Sequence, residues 1–225
     1  MSVLSGIARE RHSESIDFAI KDTVTGLIDG LITSLPDPTQ LSSAERRGII
    51  ARYSAVLEGN FIYWMTATLL SVQAEEGRPI IMENLYEEVR DSHPAMLRRF
   101  VKAAHAVPTE ADTCAVDDNL ERVRLFLGRL SGIQSLVAMA FFEGFIQRFM
   151  EYLMTLAAAQ GSCETEYTDV HGVCDVEHTE GLFRALSAEM ALRTLDSDKD
   201  LFEGAKLLRT LIENIVFNRT DLAAA

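Results

Sequence analysis

Apolar residues recur at steps of three and four along almost the whole chain, and no stretch sustains the alternation and β-branched enrichment of a strand. Such periodicity confines the chain to helices, so the expected fold class is all-α. A first helix runs from about Ser13 to Ser34 and is stopped by Pro36-Asp37-Pro38. A second starts behind Ser42-Ser43 and continues through Ile49, Tyr53, Leu57 and Trp64 to Gln73, before the break at Gly77-Arg78-Pro79. A third spans Met82 to Ala106, disturbed near Pro94 and closed by Pro108. Asp118 to Gly128 and Ser131 to Ala159 read as two helices or one long kinked one, followed by Asp169 to Thr194 and Asp200 to Phe217. With 225 residues, 48% of them hydrophobic, a full core can be buried, and one domain over residues 1–225 is expected.

Charge narrows the partners. Acidic residues number 34 against 21 basic, a formal charge of −13, whereas nucleic-acid and anionic-membrane surfaces need clustered Lys and Arg. Both are therefore disfavoured, and a small-molecule substrate is the default. Cys114, Cys163 and Cys174 are too few and too irregular for a disulfide framework and lack zinc-ribbon spacing, which fits reduced thiols in the cytoplasm. Met1 to Glu10 has no basic region followed by an apolar block, so no secretion signal is expected. The most apolar runs carry or adjoin Glu58, Glu143, Arg148 and Glu151, which a membrane span would not readily hold.

The densest polar motif is His171, Asp175 and His178, whose steps of four and three place them on one helical face. Two imidazoles and one carboxylate suit non-heme iron with open coordination positions, and also manganese or zinc. A solvated polar face is the plain alternative. Glu58 and Glu143 form the second signal, since each sits in an apolar run where an isolated buried carboxylate needs a cation or a metal beside it. Their contexts echo each other: Leu57-Glu58-Gly59-Asn60-Phe61-Ile62 resembles Phe142-Glu143-Gly144-Phe145-Ile146, and a histidine follows each glutamate 35 residues later, His93 and His178. If the helix around His93 is regular, Glu83, Glu87 and Arg90 share its side, so Glu83 or Glu87 is a further candidate ligand. A ferritin-like site is disfavoured, because neither Glu58 nor Glu143 is followed three residues later by histidine.

These residues resemble the heme-oxygenase-like di-iron oxidase and oxygenase family, a branch of the seven-helix heme-oxygenase and thiaminase-type fold. Its order of glutamate, distant histidine, second glutamate, then histidine, three residues, aspartate, two residues, histidine is matched by Glu58, His93, Glu143, His171, Asp175 and His178, from about Ser43 to Leu195. Some amine-oxygenating members have a further carboxylate ahead of the first histidine, where Glu83 stands here, with Glu87 as its rival. The resemblance implies a helical bundle of about seven helices holding two iron ions, Fe2+ when loaded and Fe3+ when oxidised, with O2 as cosubstrate and an external electron donor. It implies oxidation of a small amino-acid or amine substrate, by N-oxygenation, oxidative C–C cleavage or nitrile formation, in specialised metabolism. Oligomeric state stays open, a homodimer included.

Phe61, Trp64, Phe141, Phe142 and Phe145 are candidate apolar walls, and equally ordinary core. Arg90, Arg148 and Arg184 are candidate anchors for a substrate carboxylate, with surface ion pairs as the plainer reading. Two other functions compete. A metal-independent thiaminase-like hydrolase would use Cys174 as nucleophile, but one position before Asp175 the thiol is expected to turn about 100° off the ligand face. A non-catalytic helical binding protein would leave the polar triad without a task.

Overall fold

The computed structural model describes residues 3–217, with side chains from residue 18 onward. The start of the segment expected to lack a secretion signal, Met1 and Ser2, lies outside the described residues. Among those described there are nine α-helices and no strand. They are α1 (Val3–Thr33), α2 (Ser43–Leu57), α3 (Asn60–Ser71), α4 (Gly77–Arg90), α5 (His93–Ala103), α6 (Glu110–Leu127), α7 (Gly132–Ala159), α8 (Glu166–Leu192) and α9 (Glu203–Phe217), with a short 3-10 turn at Pro38–Gln40. No helix in this set is long and apolar enough to cross a membrane.

The bundle is built around α7. Every residue from Gly132 to Ile146 is buried, as expected of a helix that is apolar all round. Helices α1, α2, α3, α5, α8 and α9 pack against it. Its one carboxylate in that stretch, Glu143, is thereby carried into the core.

Several boundaries differ from the sequence expectation, among them three with a clear local reason. The helix expected to run unbroken to Gln73 stops at Leu57, because Gly59 takes the left-handed conformation (φ 78°). Asn60 stabilises the break: its amide donates to the Val56 carbonyl (2.8 Å) and its Oδ1 accepts from Arg124 (2.7 Å). The helix expected over Met82 to Ala106 is two helices, separated by Asp91 and a left-handed Ser92 (φ 59°). Pro94 lies in the first turn of α5, and Pro79 in that of α4; a missing N–H costs nothing there, so neither interrupts a helix. Helix α6 begins at Glu110 rather than near Asp118, behind a capping box in which Thr109 and Asp112 bond each other's backbone. Of the two readings left open for the next segment, two helices is the outcome: α6 and α7 are separate, with Leu130 left-handed (φ 55°) between them.

Close approach of α4 to α8 sets the site. A Cβ added to Gly181 would lie 2.8 Å from Ile80 Cγ2, and one added to Gly77 would lie 3.2 Å from the Ala185 Cβ. The absence of side chains at these two glycines lets carboxylates of α4 reach histidines of α8. Gly181→Ala is therefore expected to destabilise the protein by about 1–3 kcal/mol, since Ile80 is β-branched and cannot swing clear. Urea denaturation measures this; an unchanged midpoint would show that the α4–α8 spacing is not held by this contact.

Candidate metal centre

Four helices bring acids and histidines to one place. Glu88 projects from α4, His93 from the first residue of α5, Glu143 from α7, and His171, Asp175 and His178 from α8; all six are buried. Glu88 Oε1 lies 2.7 Å from His93 Nδ1 and 3.7 Å from His171 Nε2, and the His93 and His171 rings meet edge to face at 4.5 Å. On the neighbouring turns, His178 Nδ1 is 3.6 Å from Asp175 Oδ1 and 3.8 Å from Glu143 Oε2. Donor atoms therefore fall into two groups, each within 4.8 Å: Glu88, His93 and His171 in one, Cys174, Asp175 and His178 in the other.

The outward nitrogens of two histidines are held by groups behind them. Tyr167, one turn earlier on α8, offers its carbonyl to His171 Nδ1 (2.8 Å), so this nitrogen carries the proton and Nε2 faces the cluster. Glu87 Oε2 accepts from His178 Nε2 (2.8 Å), which turns His178 Nδ1 toward Asp175 and Glu143. Below them the buried Tyr167 and Tyr53 hydroxyls share a hydrogen bond of 2.7 Å. Burial pushes both phenols well above their ordinary range.

This donor set fits a metal. Glu143 Oε1 and Asp175 Oδ2 are buried without a hydrogen-bond partner, a costly state for a carboxylate unless a cation completes it. Mixed imidazole and carboxylate donors are those that non-heme iron accepts. In the protein alone, protons take the cation's place. Burial opposes charge on His178, but hydrogen bonds to Asp175 and Glu143 outweigh it and carry the imidazole up to about 11. His171 is raised likewise, with Glu88 and Asp175 overcoming its burial. Glu88 is held down at about 2, because His171 and His93 outweigh the cost of burying it. Glu143 goes the other way, up to about 7, as burial and the nearby Asp175 carboxylate prevail over His178.

A small apolar cavity, partly open to solvent, borders the cluster. Leu57, Phe61, Ile62, Leu97, Phe142 and Ile146 form its walls, and Glu88, His93, Glu143, His171 and Asp175 its polar end. Of the aromatic candidates, Phe61 and Phe142 line this space. Trp64, Phe141 and Phe145 are core, with Trp64 packed edge-on to Phe142 at 5.1 Å.

Residues expected together are not all placed together. Glu58 lines the cavity rim, yet its carboxylate is half-exposed and accepts from Arg98 Nη1 at 3.0 Å. The two echoed Glu-Gly pairs thus part company: Glu58-Gly59 ends a helix, whereas Glu143-Gly144 continues one, Gly144 admitting Ile28 closely. Glu83 is exposed, and Glu87 stands behind His178 rather than beside His93. The carboxylate that meets His93 is Glu88, which the sequence reading missed by carrying a regular helix through Pro94. Its signal was available, for Ile81, Asn84 and Glu88 form one inward stripe at steps of three and four.

Cys174 also departs from expectation. Three residues after His171 and four before His178, it shares their helical face, and its thiol donates to Asp175 Oδ1 (3.3 Å). Burial and the adjacent Asp175 push that thiol up, which works against a nucleophilic thiolate. Arg90 pairs with Asp91 and Arg148 with Asp29, while Arg184 borders a separate surface hollow.

Proton bookkeeping gives a test. In chelated protein Glu143 keeps its proton up to about 7 while the unfolded chain loses it near 4.5, so the folded state loses stability as pH rises between those values. Glu143→Gln removes this effect. Its unfolding free energy, measured by urea denaturation, should gain on that of the wild type across this window, by up to about 1.4 kcal/mol per pH unit, and level off above it. A difference independent of pH would show that Glu143 is ionised throughout.

Residues 51–211 match a family model described as an iron-containing redox enzyme. No curated protein matches the chain. With that match spanning most of the sequence, and the buried histidines and carboxylates inside it, the chain belongs to the heme-oxygenase-like family of iron-containing redox enzymes.

Proposed function

We propose that this protein is a non-heme di-iron oxidase or oxygenase that uses O2 to oxidise a small amino-acid or amine substrate in specialised metabolism. The observation that carries this reading is the pair of adjoining buried donor groups, each holding histidine and carboxylate, at the end of one apolar cavity. Two such groups suit two metal ions better than one. Glu88, His93 and His171 would hold the first, and Asp175 and His178 the second, with Glu143 supplying the carboxylate that faces both the cavity and His178. Glu58 would join them by turning inward from the rim.

When bound, iron supplies the capacity to bind and reduce dioxygen, with electrons from an external donor. The chain's own residues do the rest. The Tyr167 carbonyl and the Glu87 carboxylate hold His171 and His178 in the orientation that keeps one nitrogen of each toward the site. Phe61, Leu97, Phe142 and Ile146 keep water from the reacting end and offer the substrate an apolar bed. The buried Tyr53–Tyr167 pair closes the floor without adding charge.

Anaerobic loading with iron(II), followed by desalting and metal analysis, is expected to leave about two irons per chain, and His178→Ala about one. Retention of no iron by the wild type would remove the proposal. Glu87→Gln should weaken metal binding about 10- to 100-fold without changing the ligand set, as measured by competition with a chelating dye. Equal affinity in that variant would mean that His178 needs no outer partner.

A further inference from the structure

Resting on the reading of Glu58 as a metal ligand, a further feature concerns the residue that holds it. Glu58 is the last residue before the left-handed Gly59, so its side chain stands on the cavity rim rather than in a helical row. On one side it borders the cavity with Glu88, His93 and Glu143; on the other its Oε1 accepts from Arg98 Nη1 at 3.0 Å. Both side chains are about half exposed, 57% for Arg98 and 45% for Glu58, so water screens the pair and little holds it closed. A cation in the buried cluster would draw Glu58 inward. Arg98 would then be left without its ion-pair partner, next in sequence to Leu97, which lines the apolar cavity together with Pro94 and Glu58.

We propose that Arg98 is a specificity-determining residue: it parks Glu58 at the rim in the metal-free protein and, once metal has taken Glu58, binds the carboxylate of the substrate. Guanidinium is matched to a carboxylate in geometry and charge. The order of binding follows from the ion pair. Without metal Arg98 is already occupied by Glu58. With metal holding Glu58 the anchor is free. The substrate class is accordingly a carboxylate with an apolar body, rather than a simple amine.

Octanoate serves as the probe, with octanol as the uncharged control and Mn(II) as a redox-silent metal. Calorimetric titration of the full chain should show octanoate binding the Mn(II)-loaded protein about tenfold more tightly than the metal-free protein. Arg98→Met should remove that advantage, Arg98→Lys should keep part of it, and octanol binding should be the same in all three. Glu58→Gln, which frees Arg98 without metal, should raise octanoate affinity of the metal-free protein severalfold. Octanoate binding that is equal in wild type and Arg98→Met overturns the anchor while leaving the metal reading intact. Failure of the wild type to hold Mn(II) at all overturns both. Arg98 and Glu58 are exposed, so these variants are expected to fold, which circular dichroism checks.

Discussion

Three carboxylates, Glu88, Glu143 and Asp175, are buried within one cluster, and the rest of the site is organised around the repulsion among them. Like charges at this depth are tolerable only beside positive charge, here His171 and His178, which hold protons when no metal does. Metal and proton therefore compete for the same atoms, and loading the site with a cation releases protons. Glu143 shows the conflict most directly, since it lies in a stretch of α7 that is buried on every side.

Helix breaks decide which of the candidate residues can meet. A continuous helix through Pro94 would keep His93 in register with Glu87 and Glu83. The turn at Asp91 and Ser92 instead resets the direction, so that His93 opens α5 facing Glu88, five residues earlier. At Gly59 the same device works in the opposite sense: it takes Glu58 out of a helical row and onto the cavity rim, where it pairs with Arg98. Helix ends thus decide where these side chains stand, while those in the middle of α7 and α8 follow the helical repeat.

Helix α8 shows how much a spacing pattern carries. His171, Asp175 and His178 were legible as one face because steps of three and four do not depend on what surrounds the helix. The same arithmetic includes Cys174, and measuring its angle from Asp175 alone obscured this. What the pattern could not contain is the outer support. Glu87 is 91 residues from His178, and their 2.8 Å contact exists because Gly181 lets α4 approach α8.

The sequence by itself determined the all-helical class, the inward face of α8 and the unusual position of Glu143, because each follows from periodicity or from a charge placed inside an apolar run. Tertiary structure alone decided that Glu88 joins His93 and His171, that Glu87 stands behind His178, and that Glu58 rests on Arg98. The physical reason is common to all three: each depends on the relative placement of helices joined through left-handed turns or packed on glycine. Local periodicity ends at such points, and only long-range packing fixes which atoms meet.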